Sequence, residues 1–98
     1  QLKNTDNAQQ DATIWFRLNG VDIAGSATQI TIPARKSALI YGYMVAAWNI
    51  FVDMNAADYV EIIWLPTSTT VTVEALPSSV SPAYPAIPSV IVTMNQVG

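Results

Sequence analysis

Three carboxylates, Asp53, Asp58 and Glu61, stand close together and are the chain's nearest approach to a chemical cluster. Acids at that spacing suit two chemistries: an oxygen cage for calcium, or a pair sharing general acid and base work. Calcium takes about six or more oxygens, usually with several carboxylates from one loop. Three acids at the end of a strand more commonly serve as solubilising charges on an exposed edge. Trp15 beside Arg17 is the second candidate. One reading is a ligand stacked on the indole; the other is a Trp lying under a neighbouring strand or subunit, with Arg17 snorkelling over it. The rest of the inventory is sparse. The chain has no His and no Cys, which removes the commonest general base, the commonest neutral metal ligand and any thiolate nucleophile. No serine has a candidate base partner, and no glycine-rich phosphate loop is present. The residues therefore nominate no catalytic, cofactor-binding or metal-binding side chain, and the expectation is a protein that is not an enzyme.

The elements around these residues are strands. Tyr43 to Leu65 reads as one long antiparallel hairpin. In the first arm Met44, Ala46, Trp48, Ile50, Val52 and Met54 alternate onto one face; in the second, Val60, Ile62 and Trp64 do the same. Asn55-Ala56-Ala57-Asp58 supplies the turn. The opposite face, with Val45, Phe51, Tyr59, Ile63 and Leu65, is also apolar. A sheet with one wet face alternates more cleanly, so burial of this second face is expected as well.

Upstream, Gln1 to Asn4 reads as the tail of a strand already under way, so further residues before it are expected. Asn4 to Asp11 is a polar loop. Thr13 to Leu18 alternates, and Asn19-Gly20 is the strongest short-range hairpin signal, with Val21-Asp22-Ile23 as the return strand. Gln29 to Ile32 is a short strand closed by Pro33. Ala34-Arg35-Lys36-Ser37 is a solvated loop and the only clustered positive charge. Pro66 ends the second hairpin arm, and Thr67 to Thr70 is a polar turn. Val71, Val73 and Ala75 mark another strand. Pro77 to Pro88 excludes helix and predicts a stiff surface connection. Ser89 to Met94 is a last strand, with Val90, Val92 and Met94 on one face. About seven short strands with turn signals between them predict an all-β sandwich or barrel.

Composition points to hidden surface. The chain is one domain of 98 residues, 51% hydrophobic and 11% charged, where soluble domains average about 25% charged. Such a surface fits a subunit that buries area against copies of itself. It also fits a tightly packed β domain with a Thr- and Ser-rich exterior. The net charge of −3 argues against electrostatic capture of nucleic acid or an anionic membrane. The uncharged run Ser37 to Val52 is shorter than the roughly 18 residues of a spanning helix, so membrane insertion is not expected.

Three stretches carry a family resemblance: TIWFRLNGVDIAGS at 13–26, VAAWNIFVDMNAADYVEIIW at 45–64 and PAIPSVIVTMNQV at 85–97. Together they resemble the jelly-roll domains of tailed-bacteriophage structural proteins, which are similar to the globular head of complement and the tumour necrosis factor family. The turn departs from the family pattern, with Ala57 where Gly commonly precedes the acid. The family domain also begins with strands before the segment matched by Gln1 to Asn4. The resemblance implies a jelly-roll β-sandwich of antiparallel strands that assembles as a homotrimer, with Tyr43, Phe51, Tyr59, Ile63 and the last strand at the threefold axis. It implies a virion location, as a module decorating the capsid or heading a tail fibre, with other virion proteins as partners and no cofactor. The alternative is a head that binds a host surface glycan or receptor through the loops Asn4 to Gln10, Ala34 to Ser37 and Thr67 to Thr70.

Overall fold

The computed structural model describes residues 1–97, and among them every regular element is a strand. In chain order these are β1 (Leu2–Asn4), β2 (Gln10–Leu18), β3 (Val21–Asp22), β4 (Thr28–Ile32), β5 (Gly42–Met44), β6 (Val60–Pro66), β7 (Val71–Val73), β8 (Ser79–Val80) and β9 (Ala83–Tyr84). All pairings are antiparallel. One sheet runs β5-β1-β7. The other is centred on β2, whose one edge carries β6 and whose other edge carries β3 and then β4. The β3–β4 run is interrupted by a bulge, where Ser26 Oγ accepts from the Phe16 amide at 3.1 Å and donates to the Ile23 carbonyl at 2.7 Å.

The two sheets meet over a small core. Leu2 and Val71 come from the first sheet, and Ala12, Ile14 and Ile32 from the second; Ile30, Ala46, Trp48 and Val73 pack around them. Alternation along β2 explains this: Ala12 and Ile14 point inward, while Thr13, Trp15 and Arg17 point outward. Asn19 and Gly20, at φ +52° and +82°, form the tight β2–β3 turn that their sequence predicts.

One side chain at the core's edge is polar. Asn4 is fully buried, and each of its polar atoms is used. Its Nδ2 donates to the carbonyls of Ala8 (3.0 Å) and Pro33 (3.2 Å), and its Oδ1 accepts from the Asp6 amide (2.9 Å) and the Thr70 hydroxyl (3.2 Å). Nearby, Gly42 stands so close to the chain that a Cβ would lie 1.8 Å from the Pro33 carbonyl oxygen. An isolated Gly within a strand marks such an approach.

Four sequence expectations are corrected. The Tyr43–Leu65 hairpin does not form. The Asn55–Asp58 turn is present, closed by Asp58 N–H to the Asn55 carbonyl at 3.1 Å, but the second arm, β6, pairs along β2 over seven residues. That choice lines up Ile14 with Trp64, Trp15 with Ile63 and Phe16 with Ile62, the apolar cross-strand pairs that stabilise a ladder. The first arm beyond Met44 is extended without being a strand. Second, the face with Phe51, Tyr59 and Leu65 is not buried within the chain. Third, Ser89 to Met94 joins no sheet. Fourth, Pro77 to Pro88 is not one stiff connection: β8 and β9 pair within it, and Leu76 and Ile87 exchange backbone bonds at 2.9 and 2.8 Å.

Candidate functional site

The outer face of β2 and β6 carries a polar cluster on an apolar ground. Trp15 Nε1 and Arg17 Nε both donate to Asp22 Oδ1, at 2.8 and 2.6 Å, and the guanidinium lies 5.9 Å from the indole ring centre. The hairpin turn sets this geometry, because it brings Asp22 directly opposite Arg17. Arg17 therefore lies over Trp15, which stays half-buried within the single chain. The Arg17 bond, then the indole N–H, holds the Asp22 carboxyl below the usual carboxylate range, and the same ion pair raises Arg17. Asp22 Oδ1 thus accepts from both side chains at once and ties them together.

The three acids do not converge. Asp58 caps its own turn: its Oδ2 accepts from the Asn55 amide at 2.8 Å and its Oδ1 from Asn19 Nδ2 at 2.9 Å. The Asn55 amide, then Asn19, lowers its pKa. Glu61 pairs across the ladder with Arg17, and Asp53 is exposed in the extended segment. No group of three or more acids among the described residues is placed to hold a metal ion.

The residues nominated for an oligomer interface fall in three places. Ile63 lies half-buried on the outer face of β6, and Tyr59, just before that strand, is 54% exposed. Phe51 lies in the extended segment and is 85% exposed. Tyr43 is on the outer face of the other sheet, paired with Lys3 and 40% exposed. One chain therefore does not gather them into a single patch.

The loops nominated for ligand contact do come together. Thr5 N–H bonds the Thr70 carbonyl at 3.1 Å, Arg35 N–H the Asp6 carbonyl at 2.8 Å, and Thr67 N–H the Asp11 carbonyl at 2.8 Å. The Thr67 hydroxyl also donates to Gln10 Oε1 at 2.8 Å. Asn4 is the buried node behind this loop end. The sequence reading missed that role, although Asn at an inward-facing strand position was its available signal.

A further surface is the extended segment Val45–Met54. Ala46, Trp48, Ile50 and Val52 are half-buried while the residues between them are exposed, so the predicted facing holds without a ladder. Trp48 packs edge-on against Phe16, with ring centres 5.6 Å apart, yet its buried Nε1 has no hydrogen-bond partner. Two open cavities of about 170 and 340 Å³ separate this segment from the bulge and β4. No family model, curated protein or solved structure matches the chain.

Proposed function

We propose that the chain is a non-enzymatic structural module of a virus particle, working as a homotrimeric jelly roll that decorates a capsid or heads a tail fibre. The observation that carries this reading is the amount of apolar surface one chain leaves bare, with Phe51, Tyr59, Leu65, Ile91 and Met94 all exposed. Covering one such side chain contributes about 1.5–3 kcal/mol, so a few in each of three copies suffice for a stable assembly. Closed rotational symmetry lets a small subunit borrow the core it lacks. The connectivity is in keeping with a jelly roll: the chain passes from one sheet to the other between β1 and β2, β4 and β5, β5 and β6, and β6 and β7. The resemblance at 13–26, 45–64 and 85–97 supports the phage setting. Light scattering tests the trimer, with an expected mass three times the 10.6 kDa chain. Absence of the chain from purified particles rules out the virion role.

The meeting of Asn4–Gln10, Arg35 and Thr67–Thr70 at one end favours a second reading, a head that recognises a host glycan or receptor. Saturable binding on a glycan array, lost on replacing Thr67 and Gln10 by Ala, is its expected signature.

A further inference from the structure

The structure contains two stretches of strand-like sequence whose backbone is unpaired. Among the described residues, no backbone N–H or carbonyl of Val45–Met54 bonds to another backbone group, and the same holds for residues 90–97. Ala46, Trp48, Ile50 and Val52 are half-buried in alternation with exposed neighbours, whereas residues 90–97, five of them β-branched, are exposed throughout. Ser89 is tied to the fold, its carbonyl accepting from the Gln1 amino group at 2.7 Å. Beyond it Val90, Ile91, Val92 and Met94 are between 57% and 77% exposed. Proteins commonly guard open strand edges with Lys, Pro or a bulge. Here residues 89–97 carry no charge and no Pro, and Val45–Met54 carries a single charge, Asp53, near its end and no Pro. Buried backbone and indole donors are rarely left without acceptors, and Trp48 Nε1 lies in this segment without one.

The whole-molecule dimensions agree. The chain exposes 7085 Å², where a compact monomer of its mass exposes about 5,500 Å². Its radius of gyration is 16.0 Å, against about 12.5 Å for a compact chain of this length. The surplus, about 1,600 Å², exceeds the roughly 800 Å² per partner that a stable interface covers.

We infer that residues 89–97 of one copy add as a strand to Val45–Met54 of a second copy. This rests on the multi-copy reading above and names the contact that holds the copies together. The added strand satisfies backbone groups of both segments and sets Val90, Val92 and Met94 in line with Ala46, Trp48 and Ile50. Each copy has one donor and one acceptor, so repeated donation closes into a ring.

The test is the full chain carrying Val92→Pro, which removes one ladder donor, beside Val92→Thr, which keeps the backbone intact. Light scattering and amide exchange are read on wild type and both variants. Expected are an oligomeric wild type and Val92→Thr, a Val92→Pro chain at monomer mass with unchanged β circular dichroism, and exchange at residues 46–52 faster by at least about tenfold in Val92→Pro. A synthetic peptide spanning residues 89–97 then restores protection at 46–52 of the Val92→Pro chain. If Val92→Pro keeps the oligomeric mass and the protection, strand donation is overturned while the multi-copy reading stands. A monomeric wild type overturns both. Loss of all β structure in Val92→Pro shows the segment to be integral to its own chain and overturns donation.

Discussion

At the scale of single residues, three positions carry disproportionate weight. Asn4 joins the loop after β1, the end of β4 and the Ser68–Thr70 turn through one buried amide. Asn4→Ala leaves the Asp6 amide and the Thr70 hydroxyl without this acceptor, and a loss of about 2–4 kcal/mol is expected in urea unfolding. Gly42→Ala drives a methyl into the Pro33 carbonyl, and a loss above about 3 kcal/mol is expected because the obstacle is backbone. Ala57 sits at φ +73°, a conformation that costs an L-residue energy and glycine almost nothing. Ala57→Gly is therefore expected to raise the melting temperature, by the equivalent of about 0.5–1 kcal/mol. Protonation acts on the same turn and on the Arg17–Asp22 pair. Asp58 and Asp22 have lowered folded pKa values, so their contribution is complete above the unfolded carboxylate value of about 3.9 and is lost as pH falls through the folded value. Melting temperature should fall with acidification below about pH 4, and less steeply in Asp58→Asn.

At the scale of elements, the sequence located strands better than it located their neighbours. Thr13–Leu18, the Asn19-Gly20 turn, Gln29–Ile32 and Val71–Val73 were legible because alternation and turn chemistry are local properties. The partner of Val60–Pro66 was not, because an antiparallel strand with a turn before it can pair across that turn or with a distant strand. Here β2 won: it presents an apolar residue to each of Ile62, Ile63 and Trp64. Engineered cysteines at Thr13 and Leu65, which face each other in this ladder, should cross-link on mild oxidation; failure to do so would restore the local hairpin. At the candidate sites, the loop end was legible from three polar turns, whereas the Asn4 node and the unpaired Trp48 indole depend on long-range packing. The Trp15–Arg17 pair was legible as neighbours on one face, but not the Asp22 carboxylate that occupies both, since that depends on the turn placing it opposite Arg17.

At the scale of the whole molecule, the dominant feature is flatness. The chain spans 47 × 32 × 17 Å, with a core of five buried apolar side chains among the described residues. Surface substitutions on the outer face of β6 should accordingly report on assembly more than on folding. Leu65→Asp, at a position 61% exposed in the single chain, is expected to reduce self-association in sedimentation while leaving the monomer's melting temperature within a few degrees.

A slab 17 Å thick shelters little of its chain from solvent, whatever its neighbours do. Denaturant response and heat-capacity change both scale with the area newly wetted on unfolding. An isolated chain should therefore unfold over an unusually broad span of urea, with a small calorimetric step. Concentrating the protein should sharpen the transition and enlarge that step, so cooperativity itself becomes a property of the assembled state.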